Sequence, residues 1–326
     1  MKKQVLKLLL KRLLASLIVL FFMISLLFFL LRISPGDPSQ KFISPELSVE
    51  LASKVRESFH LNSPLLEQYS VFLSNLIKGD FGISYTYRIS VSRVIAEYLP
   101  FTIFFSFTSF IVQICTAFFL AITAVKKKHG LLDNFASKLS LIFFSIPSFV
   151  LGVILIFFFS EILEFFPSSG LKSYENESLP FFLKLADYMK HLTLPFITLS
   201  VGGIAVFFKY LRDNLNEIYN KSFVLNLRAN GFDESVITLH HIIPNALAPL
   251  VSIAGVELGL LLSGTLITEV VFGLPGMGRL TINAILTRDY PLILGCTFIA
   301  GVMVLLSNLA ADLVKMKIDK RLLKGI

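Results

Sequence analysis

The residues richest in chemical possibility stand together in one stretch, NLRANGFDESVITLHHIIPNA at positions 226–246, which carries Arg228, Asp233, Glu234, His240 and His241. Imidazoles beside carboxylates raise a metal site or acid–base catalysis, and a glycine between two helical stretches raises a helix-turn-helix on DNA. Neither reading fits. His240 and His241 are adjacent, and neighbours on a helix do not share a face, so they are poorly placed to share a metal. One arginine and two histidines are thin positive character for a nucleic-acid surface, so no nucleic-acid partner is expected. Cys115 and Cys296 each lie inside an apolar run and offer no ligand spacing. The sequence has no H-E-x-x-H and no G-x-S-x-G.

A second candidate, GLPGMGR at 273–279, has the glycines of a phosphate cradle but lacks the Lys-Ser/Thr pair that reaches phosphate and Mg²⁺. Gly273, Pro275, Gly276 and Gly278 are expected instead to fold a tight re-entrant turn. The chain therefore reads as a protein without catalytic residues, metal or cofactor of its own. If it moves anything actively, the energy comes from another polypeptide.

The elements that position these stretches are apolar. Of 326 residues, 33 are Phe, 55% are hydrophobic and 16% are charged, against about a quarter charged in soluble domains. The mean hydropathy is +0.75. Runs near the ~20 residues that cross a bilayer occur at 13–31, 100–125, 139–159 (interrupted by Pro147), 192–208, 246–268 and 291–314. The expectation is an all-α polytopic membrane protein with six spans. The first run has a basic start, but it exceeds a signal-peptide core and no A-x-A-like site follows, so it reads as a retained helix. Lys and Arg crowd the N-terminus, the KKK at 126–128, the 209–245 loop and the C-terminal tail, which places those parts and both termini in the cytoplasm. The resulting organisation is a cytoplasmic N-terminus at 1–12, a first span at 13–31, an external segment at 32–99, a five-helix core at 100–314 with a cytoplasmic loop at 212–244, and a tail at 315–326. The stretch 46–59 within the external segment is helix-like.

The 226–246 stretch has the grammar of two short helices. Ser222 is placed to cap the first, and Gly231 to end it in the left-handed conformation. Asp233 is placed to cap the second, with Phe232 and Ile237 spaced as a hydrophobic staple, and Pro244 to close it. Helices this short need a partner surface, either a cytoplasmic protein or the chain's own bundle. Glu257 is the one carboxylate inside an expected span and is a candidate for the translocation pathway or for pairing with a partner subunit. Lys209 and Arg212 read as snorkelling or topology-setting charges.

RANG at 228–231 followed by IIPNAL at 242–247 resembles the EAA loop of the membrane subunits of binding-protein-dependent ABC importers. SPGDP at 34–38, KGDFGISY at 78–85, SIPSF at 145–149, LTLPFITL at 192–199, TEVVFGLPGMGRL at 268–280 and AILTRDYPLILG at 284–295 resemble the peptide and nickel permease branch, in order along nearly the whole chain. The resemblance implies a permease subunit of the bacterial inner membrane, working in the lipid bilayer with a second homologous permease, two cytoplasmic ATPase subunits and an external solute-binding protein. It implies that 222–244 forms coupling helices seated on an ATPase. Arg228, Ala229, Gly231, Phe232 and Pro244 match the motif, whereas Leu227 and Asn230 depart from its usual Ala-Arg-Ala-Lys-Gly. The 273–279 turn would lie near the external mouth. A self-contained secondary transporter or channel is the alternative, and it would need more polar groups in its spans.

Overall fold

The computed structural model describes residues 2–33, 63–126, 130–263 and 265–318. SPGDP, the helix-like 46–59 stretch, Lys127, Lys128 and the tail beyond 318 lie outside the described residues. The described chain is helical: α1 (Lys2–Ile33), α2 (Leu65–Ile77), α3 (Val91–Lys126), α4 (Leu131–Ser145), α5 (Ser148–Ile156), α6 (Phe181–Tyr219), α7 (Ser222–Ala229), α8 (Glu234–Val236), α9 (Ile243–Ser263), α10 (Leu266–Val271), α11 (Met277–Leu286) and α12 (Tyr290–Ile318). π-helical turns extend α5 over Phe157–Ile162 and join α8 to α9 over Ile237–Ile242.

Among the described residues, five segments are long and apolar enough to cross a membrane: Leu9–Ile33, Val91–Val125, Phe181–Tyr219, Pro249–Val271 and Tyr290–Lys317. The third expected span is instead a pair, Asp133–Ser145 and Ser148–Ile162, bent by 99° at its break, and it makes a sixth if counted as one. Ile146 is extended (φ −86°, ψ 122°), as steric conflict with the following Pro147 requires. The fourth expected span, 192–208, is only the apolar middle of a 39-residue helix. At 1.5 Å per residue α6 is about 58 Å long, nearly twice the hydrocarbon thickness of about 30 Å. Both of its ends carry charges, Lys184 and Asp187 at one and Lys209, Arg212 and Glu217 at the other.

α3 organises the interior. Thr102, Ser106, Ser109, Gln113, Ala117, Ala121 and Ala124 are each at most 1% exposed, and their spacing of three or four keeps them on one face. Small and short polar side chains let neighbouring backbones close in, the packing that lipid-embedded helices favour. Ser106 donates to the Leu261 carbonyl at 2.7 Å, and Gln113 Nε2 donates to the Leu199 carbonyl at 3.2 Å. Glycines do the same where α9 meets α12, since a Cβ on Gly255 would stand 2.3 Å from Ala311. Large apolar residues such as Leu14, Phe22, Phe104, Phe135 and Phe144 point outward, the reverse of a water-soluble fold and the arrangement lipid solvates.

Arg212 does not snorkel. Its Nε donates to Asp133 Oδ1 at 2.5 Å and its Nη2 to Asp133 Oδ2 at 3.0 Å, and Asp133 is 1% exposed. The carboxylate at the start of α4 captures the guanidinium on α6 in a two-pronged, charge-assisted pair, stronger than neutral hydrogen bonds between the same elements.

Candidate functional site

The loop after α6 is fixed by its caps. α7 ends in a Schellman arrangement: Gly231 N–H donates to the Arg228 carbonyl at 2.9 Å and Phe232 N–H to the Leu227 carbonyl at 3.2 Å. Gly231 has φ +78°, the left-handed value this closure needs. Asp233 then caps α8, its Oδ1 accepting from Ser235 N–H at 2.7 Å, and that bond holds the Asp233 carboxyl below its usual value. Ser222 caps nothing: it is the first residue of α7, with Lys221 at the cap position and no side-chain cap bond.

Pro244 does not close the second helix. The chain runs through the π-helical turn Ile237–Ile242 directly into α9, with Pro244 in the first turn of that helix. A π turn widens the ring to i→i+5, so the missing proline N–H and the ring's bulk are absorbed without breaking the rod. The second short helix is thus a rigid extension of a membrane helix, just as α7 follows the end of α6 by two residues.

One face of this unit is anchored and the other is open. Val224, Ile237 and Ile242 are fully buried in a core with Ala121, Phe207, Phe208, Leu211 and Leu215. Phe223, Leu225, Phe232, Val236 and Leu239 are exposed, Leu239 at 60%. Both partner surfaces considered for these helices are therefore present, the chain's own bundle on one side and an apolar ledge on the other. Ile237 is buried whereas Phe232 is 52% exposed, so Phe232 belongs to the ledge. Ala229 and Pro244 are exposed as well. Arg228 pairs with Glu234 across the turn, Nε to Oε2 at 2.9 Å and Nη2 to Oε1 at 2.6 Å.

At the opposite end of α9 lies GLPGMGR, built around a carboxylate that sequence reading passed over. Glu269 is 0% exposed. Its Oε1 accepts from Thr102 and Thr265 hydroxyls, both at 2.9 Å. Its Oε2 accepts from Gly278 N–H at 2.7 Å and Arg279 N–H at 3.1 Å, which places a negative charge at the positive end of α11. Glu269 lies one residue beyond the expected span 246–268. The glycines divide their work. Gly273 (φ +64°) closes α10 as Gly231 closes α7, with Leu274 N–H on the Glu269 carbonyl at 2.8 Å. Gly276 and Gly278 leave room, since a Cβ on either would fall 2.2 Å from Glu269 or 2.4 Å from the Leu266 Cα. Pro275 sits at the centre of a γ-turn, with Gly276 N–H on the Leu274 carbonyl at 3.0 Å. The visible signal was an acid abutting a glycine-rich turn at the end of an apolar run.

Asp289 is a second buried carboxylate of this kind. Its Oδ2 accepts from the Ser84 hydroxyl at 2.5 Å and Thr86 N–H at 2.8 Å, tying the 84–86 turn to the start of α12. Glu257 differs from both. It is half-buried in mid-α9, and among the described residues its carboxylate has neither a hydrogen-bond nor an ion-pair partner. Among the described residues no three His, Cys, Asp or Glu stand together as a metal site.

The bundle turns large apolar residues outward along its spans and leaves an apolar ledge exposed on the 222–244 unit. The chain belongs to the binding-protein-dependent transport system inner membrane components, whose family profile matches residues 113–324, with the N-terminal profile of such components matching residues 5–106. It is 31% identical to a probable peptide ABC transporter permease protein, y4tP, of Sinorhizobium fredii over 96% of this chain and 98% of that one. It is 30% identical to the oligopeptide transport system permease protein AppB of Bacillus subtilis over 96% and 98%. It is 29% identical to the nickel import system permease protein NikB of Staphylococcus aureus over 97% and 92%. Among solved structures, a chain of the inward-facing MetNI methionine ABC transporter superposes with a TM-score of 0.53 at 19% identity, over 70% of this chain and 97% of that one. That likeness establishes a shared helical fold. The protein is a multi-pass inner-membrane permease subunit of a bacterial ABC importer, a transport subunit without an ATPase domain, which works with ATPase subunits and a binding protein.

Proposed function

We propose that this chain forms one half of a membrane translocation pathway, with a second homologous permease as the other half, and that two cytoplasmic ATPases drive it through residues 222–244. The observation that carries the reading is the exposed ledge of Phe223, Leu225, Phe232, Val236 and Leu239 on helices whose other face is locked into the bundle. Apolar side chains held out in water on an anchored unit are a docking surface. Arg228, Ala229, Gly231, Phe232 and Pro244 lie in this unit. The basic clusters flanking the spans set the loop and both termini in the cytoplasm, which leaves Gly273, Pro275, Gly276 and Gly278 near the external mouth, where a solute-binding protein delivers cargo.

The cargo is a peptide, in keeping with the names of the Sinorhizobium and Bacillus relatives. Nickel is the second reading, favoured by the Staphylococcus relatives. Glu257, a half-buried carboxylate without a partner among the described residues, lines the pathway and meets cationic groups. The test is ATP-driven uptake of radiolabelled tri-alanine, tri-lysine or nickel by the complete importer in proteoliposomes. Leu239→Asp is expected to lower all uptake by about tenfold, because a charge placed in an apolar contact costs more than about 1.4 kcal/mol. Glu257→Gln is expected to lower tri-lysine uptake selectively. Unchanged uptake in Leu239→Asp would remove the ledge from the mechanism, and uptake of tri-alanine and tri-lysine by Glu257→Gln both unchanged from wild type would remove charge recognition from Glu257.

A further inference from the structure

We propose that Arg228, Glu234 and Tyr219 form a clasp that makes the two short helices one rigid lever, so that Arg228 acts inside the loop and is not a ligand of the ATPase. The proposal rests on the coupling role given to this loop and adds how the loop keeps its shape under load. Three segments meet at the clasp. Arg228, in the last turn of α7, engages both oxygens of Glu234 at the start of α8. Its Cζ stands 5.6 Å from the centroid of the Tyr219 ring, which closes α6. The Tyr219 hydroxyl in turn shares a 2.9 Å hydrogen bond with Thr238 Oγ1 in the π turn leading to α9. The guanidinium therefore ties the loop to the ends of both membrane helices that the loop connects.

Such a tie is needed because α7 has only eight residues, too few to hold itself at a fixed angle across a glycine to the α8 extension of α9. Gly231 supplies the turn but no stiffness, since nothing lies within 4 Å of where its Cβ would be. Arg228 already turns its fork inward, with Nε and Nη2 on Glu234 and one face on Tyr219. The hydrogen bond from Arg228 holds the Glu234 carboxyl below its usual value, so the pair is charged at neutral pH. With side-chain exposures of 36% and 56%, the pair contributes little to the stability of the free chain. Seating the ledge on a partner removes water and strengthens it, so the clasp stiffens when the lever is loaded. Arg228, Glu234 and Tyr219 are positioning residues, and their loss alters coupling more than folding.

The experiment is a charge swap in the complete importer in proteoliposomes, read as radiolabelled tri-alanine (or nickel, if wild type carries nickel) taken up per ATP hydrolysed. Arg228→Glu and Glu234→Arg are each expected to lower this ratio about fivefold to tenfold, and the double swap is expected to return it to within about twofold of wild type. If Arg228 instead contacts the ATPase, the double variant stays as impaired as Arg228→Glu, and the clasp is refuted. Should a single reversal fail to reach the membrane, Arg228→Gln, Glu234→Gln and their combination replace it. A combination no worse than either single supports the clasp, and additive losses overturn it. Leu239→Asp in the same assay separates the two ideas: harmless clasp variants beside an impaired Leu239→Asp sink the clasp alone, whereas an unimpaired Leu239→Asp sinks the coupling loop itself.

Discussion

Glu269→Ala is expected to cost the protein most of its folded population in the membrane. The carboxylate is fully buried and takes four hydrogen bonds, from Thr102, Thr265 and the N–H groups of Gly278 and Arg279. Alanine leaves those donors facing one another across a void, at about 1–3 kcal/mol for each buried donor without an acceptor. Two or three such losses consume much of the roughly 5–15 kcal/mol by which a domain is stable. Thr102 adds to the loss, because its hydroxyl oxygen also accepts from Met277 N–H at 2.8 Å and is oriented by Glu269. Glu269→Gln keeps the shape and one acceptor but turns an amide NH₂ toward the start of α11, so it should fall between wild type and alanine. Gly278→Ala should resemble Glu269→Ala, since its Cβ would meet the backbone of α10 and not a movable side chain. The measurement is the monodisperse fraction and unfolding temperature of detergent-extracted protein. Wild-type values for Glu269→Ala would mean that other contacts hold the turn.

Gly231→Val is expected to stop transport while leaving the protein in the membrane and its ATPases active. Since space around Gly231 is open, the defect is one of backbone alone. An L-residue in the left-handed region costs about 1–2 kcal/mol, more with a branched Cβ. Relief of that strain moves φ to negative values and breaks the two bonds that end α7. A shift of about 1.4 kcal/mol is already tenfold in a rate or population. Uptake should therefore fall in the order Asn, Ala, Val, with Gly231→Asn near wild type because Asn tolerates the left-handed region. Uptake and ATP hydrolysis measured side by side decide it. Normal uptake by Gly231→Val would sink the proposed role of the turn, and an equal defect in Gly231→Asn would point to a contact with a partner in place of backbone strain.

The parts legible in the sequence are those set by short-range physics. Asp233 and Gly231 read correctly because a cap or a left-handed closure is decided within about one helical turn. The charge-free run 13–31 falls within α1, because apolar length is itself the signal. Pro244 misled because the rule that proline ends a helix assumes α-register, while burial of Ile237 and Ile242 draws the chain into a π turn that tolerates it. The pairing of Arg212 with Asp133 was not legible because the two lie 79 residues apart. Glu269 was hidden only in part this way: Thr102 lies 167 residues off, but Thr265, Gly278 and Arg279 lie within ten residues of it. The ends of α6 were not legible because apolar length marks only 192–208, whereas the helix runs on through Lys184 and Asp187 at one end and Lys209 and Arg212 at the other.

The most direct measurement of the central claim is a cross-link. With Cys115 and Cys296 replaced, single cysteines are introduced at Leu239 and, as a control, at Leu14 on the lipid-facing side of α1. Each is paired with cysteines along the groove of the co-expressed ATPase subunit. If the ledge is the coupling surface, Leu239→Cys forms an oxidant-dependent cross-link with the ATPase in membranes, its yield changes when ATP is added, and Leu14→Cys forms none. A Leu239→Cys that stays uncross-linked and open to a water-soluble maleimide in the assembled, active importer would contradict the account.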